Sequence, residues 1–163
     1  VQSNNKNNWD EINMESEVTS EEDLSNCLYF GRVASMIQGL ELIAKHMVNI
    51  NFGTVLNNWM GGCIIRSNLL KELNVVSSAS KDFLGDLKLN KIFKDNLVST
   101  KKIISEAVLN DISIPVLSAS LNWYLNLSSS SNPSNLIQAQ RDFFGRHKVQ
   151  LVDSEEDVNI DWD

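Results

Sequence analysis

LYFGRVASMIQGLELIAKHM, residues 28–47, decides the fold. Tyr29, Val33, Met36, Ile37, Leu40, Ala44 and Met47 recur at steps of three and four. That spacing lays them along one face of a long amphipathic helix, whereas a half-buried strand would alternate every second residue. The helix sets in at Asp23, where an Asn-, Glu- and Ser-rich lead-in gives way to apolar residues, and Asn49 to Gly53 ends or bends it.

The same period returns further along. Gly61-Gly62 leads into a second helical stretch, Cys63 to Leu73, which Asn74 and the Ser-rich VVSSAS terminate. A third series, Phe83, Leu84, Leu87, Leu89, Ile92, Phe93 and Leu97, precedes a fourth across Ile103, Ile104, Ala107 and Val108. DISIP is a loop, and Pro115 suits the first turn of a helix that continues to Leu127. SSSSNPS is a linker by composition. The last helix is NLIQAQRDFFGRH, residues 135–147, with Gly145 placed to cap its C-terminus. Strand alternation is confined to KVQLV near the end. The class is therefore all-α, a multi-helix domain of about six helices. Residues 1–23 read as a flexible acidic lead-in, 24–150 as the helical domain and 151–163 as an acidic tail.

A chain of 163 residues can bury one core. No apolar run approaches the roughly 20 residues of a membrane span, and the first residues lack the basic-then-apolar pattern of a signal peptide. Two cysteines, Cys27 and Cys63, make neither a disulfide framework nor a zinc site, so a cytoplasmic chain is expected. The net charge of −7 is uneven. Of 21 acids and 14 bases, residues 1–23 hold seven acids with Lys6, and residues 151–163 hold six acids and no base. The body keeps thirteen bases and eight acids, a surplus of five positive charges. Acidic ends and a mildly basic body exclude a general nucleic-acid binder, which would show a dense basic stripe, and allow a local site for a small anion.

Two stretches go beyond propensity: NWMGGCIIRS, residues 58–67, and NLIQAQRDFFGRHKVQLVD, from residue 135. Together with LYFGRVASMIQGLELI and ISIPVLSASLNWYL, in this order, they resemble the C-terminal helical domain of 6-phosphogluconate dehydrogenase. The resemblance covers roughly residues 24–153. It implies oxidation of 6-phosphogluconate by NADP followed by loss of carbon dioxide, without a metal. It also implies a homodimer whose sites are shared between subunits. Arg66 matches the family's phosphate-holding arginine. Arg141 and His147 match the arginine and histidine that reach the phosphate from the second subunit. The chemistry suits the residues, because a guanidinium offers a fixed fork of donors to a phosphate dianion. Glycines at 61 and 62 would permit close backbone approach ahead of the Arg66 helix. A chain turning at Gly145 would bring Arg141 and His147 to one ligand.

Read without the resemblance, the same residues are blander. Arg66 is a solvated or ion-paired arginine, Arg141 and Asp142 a charge pair at a helix end, and Arg146, His147 and Lys148 cations favoured by a helix C-terminus. Trp59, Trp123, Phe143 and Phe144 read as core or dimer contacts. The family's glycine-rich nucleotide fingerprint and its catalytic Lys and Glu have no match in the chain, so no catalytic, cofactor or metal residue is assigned to it. Met60 stands where the family has a basic residue. The expectation is a C-terminal portion of the enzyme that holds substrate phosphate and dimerises. The alternative is a non-catalytic module that dimerises or binds sugar phosphate.

Overall fold

The computed structural model describes residues 20–47, 50–79, 86–129, 132–151, 154 and 156–162. Six helices follow in order: α1 Glu21–His46, α2 Phe52–Gly62, α3 Asn68–Ala79, α4 Leu87–Leu109, α5 Pro115–Ser128 and α6 Ser134–Gly145. Two short strands, β1 Val149–Gln150 and β2 Asp157–Val158, pair antiparallel with Val149 opposite Val158. The fold is all-α, as the periodicity predicts. The chain divides into two compact units, residues 1–122 and 123–163, with the start of α5 in the first and its end in the second. Most of the acidic lead-in lies outside the described residues. Its last residues, Glu21 to Asp23, form the first turn of α1.

In the first unit α1 packs on α4, and α2 on α3. Ser20 starts α1 by accepting the Asp23 N–H at 3.0 Å, and three acids in the first turn face the positive end of the helix. The buried face is not quite the expected one. Val33, Ile37 and Leu40 are buried, but so are Cys27, Phe30, Gly31 and Ala34, whereas Ala44 and Met47 are exposed. The reason lies in two close contacts. Phe30 meets Phe93 of α4 edge-on at 5.1 Å between centroids. At Gly31 an added Cβ would lie 2.5 Å from Leu117 Cδ2, so α5 comes close enough there that a side chain would have to displace the end of that leucine. Each fully buried Phe, Ile or Leu contributes about 1.5–3 kcal/mol.

Helix α4 corrects the sequence reading, which split it in two. Ser99 and Thr100, which lie between the two apolar series, are both buried within one continuous helix. Thr100 Oγ1 donates back to the Asn96 carbonyl at 2.8 Å, and Ser99 Oγ donates to Asp23 Oδ1 at 2.7 Å. With their hydroxyls satisfied, they cost the helix little. Phe83 and Leu84 of the expected third series lie outside the described residues. Helix α2 is the second correction. Asn51, read as part of a stop signal, is an N-cap whose Oδ1 accepts the Thr54 N–H at 3.0 Å. Gly61 and Gly62 are the last residues of α2, not the lead-in to a helix containing Arg66.

Polar contacts fasten α1 to its neighbours. Asp23 accepts from Lys102 Nζ at 2.7 Å and from Ser99, and these bonds hold its carboxyl down at about 2. Tyr29 donates to Glu72 of α3 at 2.7 Å; burial first, and the acceptor second, push the phenol up to about 12.

Candidate functional site

Arg66 sits in the short connection between α2 and α3. Cys63 caps α2, and the Arg66 N–H donates to the Cys63 carbonyl at 3.1 Å, which turns the chain sharply before α3 begins at Asn68. The Arg66 side chain is exposed and faces a cleft of about 390 Å³ lined by Met60, Ser67, Asn68 and Lys71. Lys71 was not singled out in the sequence. A helix beginning at Cys63 would place it five residues beyond Arg66, off that face. Beginning instead at Asn68, the helix has Lys71 in its opening turn, and a second cation reaches the cleft. Ser67 Oγ is buried there without a hydrogen-bond partner among the described residues. A Cβ added at Gly61 or Gly62 meets nothing of this chain within 4 Å, so the backbone there is open on that side.

In the second unit Arg141 and His147 line one cleft of about 330 Å³, together with Gln140, Phe144 and Gly145. The turn that brings them together is not made at Gly145. That residue stays helical, and Arg146 caps α6 in the left-handed conformation, φ 48° and ψ 44°. Gly145 matters for another reason: an added Cβ would lie 2.7 Å from His147 Nε2, where the imidazole folds back over the helix end, and would push the ring aside. Arg141 Nη1 donates to Gln138 Oε1 at 3.0 Å, while Gln138 Nε2 donates to the Lys148 carbonyl at 2.6 Å. One glutamine thus steadies the guanidinium and the turn.

Asp142 overturns the reading of a helix-end charge pair with Arg141. Among the described residues the two form no ion pair, and Asp142 is fully buried. Its Oδ1 accepts the Lys148 N–H at 2.8 Å; its Oδ2 accepts the Ile160 N–H at 2.8 Å and Trp162 Nε1–H at 3.0 Å. Burial alone would raise its pKa, but the donors from Ile160, Trp162 and Lys148 and the nearby Arg146 charge outweigh it, and the carboxyl titrates below its ordinary value. The acidic tail therefore docks on α6, and Trp162 meets Phe143 edge-on at 5.6 Å. Phe143 and Phe144 are themselves exposed rather than core. Trp59 and Trp123 are half-buried.

Comparison with known proteins fixes the kinship. The family model described as 6-phosphogluconate dehydrogenase, C-terminal domain, matches residues 1–162. The chain belongs to that family. The decarboxylating 6-phosphogluconate dehydrogenase of Treponema pallidum is 32% identical over 139 residues, 80% of this chain and 28% of its own length. That of Caenorhabditis elegans is 34% identical over 137 residues, 79% of this chain and 28% of its own length. A solved structure of Plasmodium falciparum 6-phosphogluconate dehydrogenase, known in its apo form, with its cofactor NADP+ and with its substrate 6-phosphogluconate, superposes with a TM-score of 0.81 at 33% identity. It covers 95% of this chain and 35% of that one. The chain thus spans about a third of the length of the relatives it matches. No described helix is long and apolar enough to cross a membrane. Among the described residues, six helices and an antiparallel strand pair include no βαβ unit of the kind that cradles a dinucleotide's pyrophosphate.

Proposed function

We propose that the chain is the substrate-phosphate-holding and dimer-forming part of a decarboxylating, NADP-dependent 6-phosphogluconate dehydrogenase. The observation that carries this reading is the convergence of Arg141 and His147 on one cleft at the end of α6. Arg66 and Lys71 line a separate cleft of the first unit. Both clefts present cations whose donors suit phosphate oxygens. Each charge-assisted contact contributes about 1.5–3 kcal/mol, so Arg141→Ala weakens 6-phosphogluconate binding about ten- to a hundredfold. Hydride transfer and proton transfer fall to sequence outside this chain.

The exposed apolar surface supports a homodimer. Leu136 and Phe144 of α6 are exposed to 75% and 77%, and Ile64, beside Arg66, to 99%. Covering side chains this exposed removes apolar area from water and so favours association. A mixed dimer tests both claims together. If sites are shared between subunits, pairing an Arg66→Ala chain with an Arg141→Ala chain leaves half the sites with both arginines and normal affinity for 6-phosphogluconate. No normal site at all would place both arginines in one subunit's own site. Unchanged binding in both single variants, with a lowered melting temperature, would overturn the phosphate reading.

A further inference from the structure

We infer that Asp142 is a positioning residue for His147, and that it couples the docking of the C-terminal tail to the geometry of the phosphate cleft. The inference rests on the phosphate reading of that cleft and adds a residue that does not line it. His147 lies between two residues in the left-handed region, Arg146 at φ 48° and Lys148 at φ 63°. Neither is glycine, so both are unfavourable unless the surroundings impose them. The Asp142 backbone holds the first and its side chain holds the second. Its carbonyl accepts the Arg146 N–H at 2.8 Å, and its Oδ1 accepts the Lys148 N–H at 2.8 Å. The turn is thereby pinned on either side of His147, and the ring is laid over Gly145, where a methyl group would displace it.

The same carboxylate anchors the tail from its other oxygen, through the Ile160 N–H and the Trp162 indole. Asn159, with its amide nitrogen turned inward, donates to Asp142 Oδ1 at 2.8 Å and to the Arg146 carbonyl at 3.0 Å. A buried carboxylate facing this many N–H donors is a rigid, fully occupied acceptor. Releasing the tail strips it of several donors at once and frees the Arg146 carbonyl. Tail docking and the orientation of His147 are therefore one event. The sequence gives no hint of this. An Arg-Asp pair at a helix end reads as surface charge.

The test uses the full chain and begins without ligand. The chain has two histidines, His46 and His147, so their ring signals are separable by NMR. In Asp142→Asn one acceptor becomes a donor facing N–H groups. The expected result is that the His147 ring signals move to those of an unstructured histidine while the His46 signals stay. Trp162→Phe removes one donor and leaves the carboxylate in place, and moves the His147 signals the same way by a smaller amount; it serves also if Asp142→Asn does not fold. Unmoved His147 signals in the folded variants overturn the inference, whatever the ligand does.

Titration with 6-phosphogluconate then separates the two readings. Asp142→Asn and His147→Ala are each expected to weaken binding about tenfold, the effect of losing one hydrogen bond to a charged group. Their combination is no weaker than His147→Ala alone. Normal binding by His147→Ala sinks the phosphate reading. An impaired His147→Ala beside a normal Asp142→Asn sinks the coupling alone, as does a further tenfold loss in the double variant.

Discussion

Helix α1 buries Phe30, Val33, Ile37 and Leu40, and α4, packed on it, buries Leu89, Phe93 and Ile103. Helix α6 buries no hydrophobic residue; its one buried residue is Asp142. The first pair is held by area removed from water, which is non-directional and tolerates small shifts. The second is held by a handful of hydrogen bonds whose geometry has to be met within tenths of an ångström. A scaffold can rely on the first kind of cohesion, whereas a turn that aims an imidazole needs the second.

The comparison can be broken at its strongest point. Phe30→Ala empties the space against Phe93 and is expected to cost about 3–5 kcal/mol, read as a lower urea midpoint at unchanged slope. A loss under about 1 kcal/mol would mean that α1 and α4 are not the stabilising pair. Gly145→Ala probes the other region. Alanine is the better helix former by about 1 kcal/mol, and the clash falls on the movable ring of His147. Stability should therefore hold or rise slightly while 6-phosphogluconate binding drops severalfold. A fall in stability with binding intact would show that the glycine serves the helix and not the ring.

Legibility divides along the same line. The long period through Val33, Ile37 and Leu40 announced α1, because apolar burial leaves a repeating trace in sequence. The gap between Leu97 and Ile103, which holds Ser99 and Thr100, and Asn51 are where the reading fails, since hydroxyl and amide side chains break helices in one context and bond back to them or cap them in another. Arg66, Arg141 and His147 are candidates through resemblance to a family motif, and the structure brings the latter two to one cleft. Lys71 depended on where α3 starts, and helix boundaries are the least legible feature of any sequence. Asp142 depended on donors up to 20 residues away in a tail that looked merely acidic; no local pattern encodes such a meeting.

Titration sharpens the picture of the first unit. The folded pKa of Tyr29, about 12, lies above the ordinary 10.0. Its stabilising effect is fully present below pH 10 and is lost as pH rises through about 12. Tyr29→Phe should flatten the alkaline limb of a melting-temperature profile. Asp23 runs the opposite way: its folded pKa of about 2 lies below the ordinary 3.8, so its contribution is present above that value and is lost as pH falls through about 2. Asp23→Asn should flatten the acid limb, and an unchanged limb in either variant would remove that group from the account. The smallest effect is expected at Lys91 and Asp95, a pair at 2.6 Å that is largely exposed on α4. Lys91→Ala should cost about 0.3–0.5 kcal/mol and lose even that in high salt.

The hook at Asp142 has a kinetic corollary. Its bonds to Lys148, Ile160 and Trp162 join residues 6, 18 and 20 apart in the chain. Those from Asp23 to Ser99 and Lys102 join residues 76 and 79 apart. Closing the longer loop lies about two doublings of length further, on the order of 1 kcal/mol more in chain entropy, and contacts of high sequence separation form slowly. During refolding the amides of Lys148 and Ile160 should therefore gain protection from deuterium before the α1–α4 interface does, so that the turn carrying His147 is set while the larger helical unit is still searching for its partners.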